Sequence, residues 1–300
     1  MKTPRLLLFV ALVLSLAMIG NGQDFVDGVD LTTTNAPWTM RILGSDLDIT
    51  NVKAKPDEAS AYFMMSSASS KLNVSVFIEP VNKCKSSEEC RDHVLAAGNP
   101  AWGKFEQLAK GAIKDFHYFE FYRPEAMGQP VKMQDMYAQH VLNGYWVDVH
   151  ISKVLYTKAD RALFEKLINS ISFIPKTGTP AAAFDAQIAR GRSAASAWLS
   201  LWDQRKYKET YAALSSLSRE GITETQWSGY GLRIMQDLLA NKSRKPIAAA
   251  FSRTVPEKTE RPLAVLAYHS SFEGNPSIVE IVALMYEKNG TWSVTNYIPR

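Results

Sequence analysis

Glu280 has the least ordinary surroundings of three carboxylates in the C-terminal half of this 300-residue sequence. It lies in a strand-like run and shares one face of that run with three apolar residues, Ile278, Val282 and Leu284. A carboxylate buried in this way either pairs with a cation or takes up a proton more readily, which suits a general base. We favour a structural ion pair, with Arg253 as the first candidate partner and Arg244 as the second.

The catalytic alternative is an isomerase or a hydrolase in which Glu280 is the base. It requires a cavity beside an unpaired carboxylate and a hydroxyl close by, from Tyr211 or Tyr230. Two other carboxylates belong to the same half of the chain: Asp203 ends a helix with no identifiable partner, and Asp237 falls beside a polar helix face. We therefore assign no catalytic residue and keep Glu280 as the candidate base of the alternative.

Asp148, His150 and Ser152 are the residue types of a hydrolase triad. They are two positions apart on a predicted strand, which separates neighbours by nearly 7 Å at about 3.3 Å per residue. A triad needs hydrogen-bond contacts of roughly 3 Å. The same strand geometry puts His140 and His150 on opposite faces, so they cannot share a metal. The common phosphate-, dinucleotide- and zinc-binding motifs are missing from the sequence, and we expect no metal and no cofactor.

A second candidate site consists of aromatic residues at helical spacing. Trp198 and Trp202 lie one turn apart on a stripe that also holds Ile188, Gly191 and Ala195. The candidate ligand-binding residues are Trp198, Trp202, Tyr211, Trp227 and Tyr230. They could line a pocket, or they could form an ordinary core between helices and a sheet.

Cys84 and Cys90 are the two cysteines of the chain. Between them, Ser86 and Glu89 form a capping box that predicts a helix starting at about Ser87. Cys90 then lies in the first turn, within reach of Cys84, and we predict a structural disulfide rather than a redox pair.

Residues 1–22 have the pattern of a cleaved signal peptide: two basic residues, a 14-residue apolar run and small residues before position 23. An uncleaved anchor is the alternative. Cleavage leaves 32 basic and 30 acidic residues, a net charge of +2 that gives no strong field for nucleic acid. We expect a periplasmic or secreted protein that is not inserted in the membrane after cleavage.

The fold class is α+β in two domains, 23–175 and 184–300, joined by a linker at 176–183. The stretch 174–183 holds two prolines and has no periodicity. The first domain is an antiparallel sheet with flanking helices. Its clearest unit is a hairpin around Asn143-Gly144, in which Leu142 faces Tyr145. One face of this hairpin, with Met136 and Val149, is predicted core, and the other, with Asp135 and Trp146, is predicted to be mixed and solvated.

The second domain reads as three helices followed by a curved four-stranded antiparallel sheet. A capping box at Thr223 and Gln226 starts the third helix. Asn289-Gly290 predicts another two-residue hairpin turn, which places Met285 opposite Val294. The order of elements is that of the cystatin-like or ketosteroid-isomerase-like cone.

Residues 195–300 resemble the bacterial family known as domain of unknown function 4019. The matching residues are Ala197, Trp198, Leu199, Leu201, Asp203, Tyr207, Thr223, Gln226, Trp227, Arg244 to Ile247, Ser252, Arg253, Phe272, Glu280, Trp292 and Tyr297. Tyr211 and Ala248 depart from the family, which usually has Trp and Gly there. The resemblance implies a shape and no reaction. The element order of the first domain also resembles PsbP-like α/β/α sandwiches.

Taken together, these patterns favour a non-catalytic exported bacterial module that binds a small molecule or a protein. A membrane or stress adaptor that acts through protein contacts has the same sequence features. The enzyme with Glu280 as base remains the alternative from another class.

Overall fold

The computed structural model describes residues 28–44, 46–56, 59–126, 128–176, 182–252 and 264–300. The predicted signal peptide, most of the predicted linker and Arg253 lie outside these residues. Within them the chain forms two antiparallel seven-stranded sheets and six α-helices, which confirms the α+β class. None of these helices is long and apolar enough to cross a membrane.

The strands, in chain order, are β1 (Gly28–Thr33), β2 (Trp38–Leu43), β3 (Leu47–Lys55), β4 (Ser60–Ser67), β5 (Asn73–Pro80), β6 (Glu106–Ile113), β7 (Phe116–Ala126), β8 (Gln129–Leu142), β9 (Tyr145–Lys153), β10 (Ile171–Pro175), β11 (Asn241–Ser252), β12 (Ala264–Phe272), β13 (Ile278–Tyr286) and β14 (Trp292–Pro299). The helices are α1 (Ser87–Ala97), α2 (Arg161–Ser170), α3 (Ala182–Asp203), α4 (Tyr207–Ala212), α5 (Ser216–Gly221) and α6 (Glu224–Leu238).

Sheet A has the strand order β10-β2-β1-β11-β12-β13-β14, and sheet B has the order β3-β4-β5-β9-β8-β7-β6. One face of each sheet contributes to a shared apolar core, in which Leu31 and Ala250 of sheet A join Phe63 and Val149 of sheet B. The other face of sheet A packs against the helices from α3 onward, and the other face of sheet B packs against α1. The chain is therefore layered as helices, sheet A, sheet B and helix.

The β8–β9 hairpin has the predicted register, because Leu142 faces Tyr145 and Tyr137 faces His150. Its predicted core face is buried in the shared core. The prediction of a solvated second face is wrong: Asp135 and Gln139 are fully buried there and Trp146 nearly so. The reason is that α1 and the turn at Pro100–Trp102 cover this face, which local alternation cannot reveal.

The capping box at the start of α1 has the predicted geometry. The Glu89 backbone N–H donates to the Ser86 hydroxyl at 3.1 Å, and the Lys85 N–H donates to the Glu89 carboxylate at 2.8 Å. The predicted disulfide between Cys84 and Cys90 is formed, with the two Cα atoms 5.0 Å apart. It packs against Trp146 and so ties the start of α1 to sheet B.

The register predicted for the hairpin at Asn289-Gly290 is wrong. Met285 faces Ser293, and Leu284 faces Val294. The loop is longer than two residues, because the Gly290 N–H donates to the Glu287 carbonyl and the Glu287 N–H donates to the Thr291 carbonyl. This is a turn closed by a glycine with positive φ, which the Asn-Gly pair alone does not distinguish from a two-residue turn.

The two halves of the chain share sheet A. β1 pairs with β11 from Val29 opposite Ser252 to Thr33 opposite Ala248, and the Thr34 N–H donates to the Ile247 carbonyl at 2.8 Å. The four predicted strands of the second half are present, and β1, β2 and β10 extend them to seven. The division into two domains at 176–183 stays a prediction. Main-chain hydrogen bonds between β1 and β11 join the two halves that this division separates.

Cutting the chain in the predicted linker should therefore leave both fragments together. We expect a protein with a protease site inserted at 176–183 to elute after cleavage as one species of unchanged size, since β1–β11 pairing and the shared core hold the fragments. Size-exclusion chromatography with and without 6 M urea measures this. Two separately eluting, folded fragments in the absence of urea would contradict the shared sheet.

Candidate functional site

Glu280 is bound by Arg244, the second partner proposed from the sequence. Glu280 is fully buried on β13, and Arg244 on β11 reaches it through two hydrogen bonds, Nε to Oε2 at 2.6 Å and Nη2 to Oε1 at 2.9 Å. Arg253, the first candidate, lies outside the described residues. A bidentate pair of this kind fixes both side chains as well as attracting them.

Arg244 also binds Asp203, the last residue of α3. Its Nη1 and Nη2 atoms donate to the two Asp203 oxygens at 2.8 and 2.9 Å. One guanidinium therefore joins the C-terminal end of α3 to a strand of sheet A and to a carboxylate two strands away. Burial alone would lower the pKa of Arg244, but the hydrogen bonds that it donates to Asp203 and Glu280 raise it above its usual value.

Two hydroxyls complete the shell around Glu280. The Tyr297 hydroxyl on β14 donates to Oε1 at 2.6 Å, and the Ser270 hydroxyl on β12 donates to Oε2. Burial, together with the charge of Glu280, raises the pKa of Tyr297 far above its usual value, so this phenol stays protonated as a donor. Each Glu280 oxygen thus accepts two hydrogen bonds, which leaves it poorly suited to take a proton from a substrate.

The five aromatic residues proposed to bind a ligand pack on one another. Trp198 stacks on Trp202 with ring centres 5.3 Å apart, and Trp202 meets the Trp227 ring edge-on at 5.6 Å. The Tyr211 hydroxyl donates to the Ile222 carbonyl, and the Tyr230 hydroxyl to the Tyr297 carbonyl. These contacts are those of a helix–sheet core. Their ligand-binding role stays a prediction.

Among the five aromatic residues, one buried polar atom is an unsatisfied hydrogen-bond donor. Trp202 is fully buried, and its indole N–H has no hydrogen-bond partner among the described residues. The indoles of Trp198 and Trp227 differ, because they donate to the carbonyl and hydroxyl oxygens of Thr210 at 3.0 Å each.

A cavity of about 550 Å³ opens beside this core, between α3 and strands β1, β11 and β12. None of the five aromatic residues lines it. Its walls are Thr32, Thr34, Lys176, Arg192, Ser196, Leu199, Arg244, Pro246, Ala248, Ala249, Leu266, Ala267 and Tyr268. Both halves of the chain contribute, because β1 and the residue that follows it supply the two threonines, and α3 supplies Arg192, Ser196 and Leu199.

The sequence reasoning missed Lys176, Arg192 and Ser196. Lys176 directly follows β10 at the start of the predicted linker, and the other two lie one turn apart on an exposed flank of α3. No spacing relates Lys176 to Arg192, since the predicted linker separates them in sequence. The pairing of β1 with β11 brings them to one cavity, and that pairing has no local signal.

The covered face of sheet B holds a separate polar cluster. Asp135 accepts two hydrogen bonds from Arg123, at 2.7 and 3.0 Å, and lies 2.8 Å from Nε2 of His150. The His150 ring stacks on Tyr137 with centres 4.1 Å apart, and the Tyr137 hydroxyl accepts a hydrogen bond from Trp102. The cluster anchors the Pro100–Trp102 turn to the sheet.

Asp148, His150 and Ser152 do not form a triad. Nε2 of His150 lies within hydrogen-bond distance of Asp135, not of Asp148. Asp148 instead accepts a hydrogen bond from the Gln139 amide at 2.8 Å. The described residues contain no group of three or more His, Cys, Asp or Glu side chains that could hold a metal ion. Burial raises the pKa of Asp148 to about 6, in spite of the opposing hydrogen bond from Gln139.

Comparison with known proteins agrees with the sequence resemblance. Residues 194–297 match the family described as a protein of unknown function, DUF4019, which covers about a third of the chain. Asp203, Arg244, Glu280 and Tyr297 all fall within the match and form the hydrogen-bonded network described above. The cone shape itself stays a prediction. No curated protein matches the chain significantly.

Two solved structures are similar to parts of the chain. One is the cyanobacterial PsbP, CyanoP, from Synechocystis sp. PCC 6803, with 12% identity over 52% of this chain and 98% of that one, at a TM-score of 0.36. It agrees with the resemblance to PsbP-like proteins. The other, from Bacteroides thetaiotaomicron VPI-5482, has 11% identity over 82% of this chain and 87% of that one, at a TM-score of 0.34. TM-scores this low are not evidence for a function of this chain.

Replacing Glu280 by Gln should destabilise the protein. The change leaves Arg244 half-paired and removes a buried charge that accepts four hydrogen bonds, so we expect a loss of about 3 kcal/mol in the free energy of unfolding. Asp203→Asn is the matched control, and its loss should be smaller because Asp203 is about a quarter exposed, at 26%. Urea unfolding measures both. An unchanged or higher stability of Glu280→Gln would contradict the structural role.

Replacing Asp148 by Asn should stabilise the protein at pH 8 and have little effect at pH 4. Because its pKa is raised to about 6 in the folded protein, folding favours the protonated acid. That contribution is complete below pH 4 and is lost as the pH rises through 6, by at most about 3 kcal/mol. Asn resembles the protonated form at every pH. Thermal unfolding at both pH values measures this, with exposed Asp115→Asn as the control. Equal shifts at pH 4 and pH 8 would contradict it.

Proposed function

We propose that this chain is an exported, non-catalytic binding module that holds a small molecule in the cavity between α3 and sheet A. The observation that carries the proposal is the cavity itself, at about 550 Å³ and lined by apolar side chains with a few hydroxyls and cations. Ligand sites in proteins have this size and this mixture. A small molecule fits a recess of this volume better than a protein surface does.

The bonding of Glu280 supports a binding role over the catalytic alternative. An isomerase or hydrolase with Glu280 as base needs an unpaired carboxylate that faces a cavity. Arg244, Ser270 and Tyr297 occupy both of its oxygens, and Glu280 is not among the residues that line the cavity. No observation among the described residues favours the catalytic alternative.

Two features support export. The first is the signal-peptide pattern of residues 1–22, which lies outside the described residues. The second is the disulfide between Cys84 and Cys90, since disulfides persist in oxidising compartments. Both features support a periplasmic or secreted location.

A bulky side chain at Ser196 should abolish binding to the cavity. Ser196 lines the cavity from an exposed position on α3, so Ser196→Trp should narrow the cavity and leave the fold intact. The probe is N-phenyl-1-naphthylamine, a neutral dye that fluoresces in apolar surroundings. We expect saturable one-to-one binding to the wild type and at least a tenfold loss in Ser196→Trp.

Ser193→Trp is the matched control, because Ser193 is exposed on the same helix and does not line the cavity. It should bind the dye as the wild type does. If the wild type shows no saturable binding, or if both tryptophan variants behave alike, the cavity is not a binding site and the proposal is wrong.

A further inference from the structure

One end of the cavity carries two cations without acidic partners. Lys176 and Arg192 both line it. Among the described residues no carboxylate lies within 4.0 Å of either side chain. The guanidinium of Arg192 lies 5.9 Å from the centre of the Phe251 ring, which orients it without neutralising its charge.

The ammonium of Lys176 is held in place by main-chain carbonyls. Its Nζ atom donates to the carbonyl of Thr33, and to that of Thr34 at 3.4 Å. The third N–H has no acceptor among the described residues. Burial, and next the positive charge of Arg192, lower the pKa of Lys176. Two positive charges in one recess repel each other, and a bound anion relieves this repulsion.

Arg244, at the other end of the cavity, offers no free positive charge. Its guanidinium is shared between Asp203 and Glu280. Along β11, Arg244 is four residues from Ala248, which pairs with Thr33 of the Lys176 site. That is roughly 13 Å at about 3.3 Å per residue. The cavity is therefore cationic at one end only.

The walls between the two ends are mainly apolar. They are formed by Leu199, Pro246, Ala248, Ala249, Leu266 and Ala267. The Thr34 hydroxyl is committed to the Pro246 carbonyl at 2.6 Å. An apolar wall of this extent favours a ligand with an apolar body over a small inorganic anion.

We propose that the cavity binds an amphipathic anion, with a carboxylate or phosphate head between Lys176 and Arg192 and an apolar body along Leu199 and Leu266. This inference rests on the proposed function and adds the chemical class of the ligand. The head is bound by one ammonium and one guanidinium, which are the usual donors to carboxylate and phosphate oxygens. Because Lys176 directly follows β10 and Arg192 lies on α3, the ligand contacts both halves of the chain.

Displacement of the bound dye by four probes tests this class of ligand. The probes are decanoate, decyl phosphate, decanol and inorganic phosphate, with decanoate and decyl phosphate kept below their critical micelle concentrations. Decanoate and decyl phosphate should displace the dye at least tenfold more strongly than decanol, and inorganic phosphate should not displace it. The relative strength of the first two shows which head group the site prefers, and either order supports the proposal.

Arg192→Gln should weaken decanoate binding about tenfold and leave decanol binding unchanged. Arg190→Gln is the matched control, because Arg190 is exposed on the same helix and does not line the cavity. It removes the same charge from the protein, so a general electrostatic effect would appear in both variants.

Several outcomes overturn the inference. If decanol competes as strongly as decanoate, or if Arg190→Gln and Arg192→Gln have equal effects, the site does not select an anion. In that case the proposed function is still supported, provided that the wild type binds the dye and Ser196→Trp does not. If the dye does not bind to the wild type at all, both proposals fail together.

Discussion

The pairing of β1 with β11 is the contact on which the rest of the structure depends. It joins the first strand of the described chain to the longest strand of the second half, from Val29 opposite Ser252 to Thr33 opposite Ala248. Sheet A is continuous because of it, and one face of sheet A can then pack against sheet B. The cavity also depends on it, since Thr32 and Thr34 form one wall and α3 forms the opposite wall.

The network around Glu280 holds the other side of sheet A. Five elements meet there: the end of α3 through Asp203, and strands β11, β12, β13 and β14 through Arg244, Ser270, Glu280 and Tyr297. A buried carboxylate without these donors would cost several kcal/mol. The charge is instead shared within one hydrogen-bonded cluster that fixes α3 over the sheet. This position of α3 sets the distance between Ser196 and the strands that face it across the cavity.

Local features of the fold could be predicted from the sequence, and long-range ones could not. Some features depend only on residues a few positions apart: the Asn143-Gly144 turn and the capping boxes of Ser86 with Glu89 and of Thr223 with Gln226. The structure has all three as predicted. The Cys84–Cys90 disulfide followed from the first of these boxes. By contrast, the pairing of β1 with β11 joins residues more than 200 positions apart and leaves no periodic signal.

The site shows the same limit. That Glu280 needs a cation followed from its apolar strand, but the choice between Arg244 and Arg253 depended on register and on the neighbouring strands. The polar residues around Asp135 looked solvated because the covering turn at Pro100–Trp102 is distant in sequence. Lys176 and Arg192 carry no motif at all, so only the folded chain reveals them as neighbours.

The central claim is that both halves of the chain form one anion-binding cavity, and a double-mutant cycle on Lys176 and Arg192 tests it most directly. The dissociation constant of decanoate is measured by calorimetry for the wild type, Lys176→Gln, Arg192→Gln and the double variant. If both side chains bind the same head group, the double variant should lose less affinity than the product of the single losses, by at least a factor of about 3. Strictly multiplicative losses, or no loss in either single variant, would contradict the account.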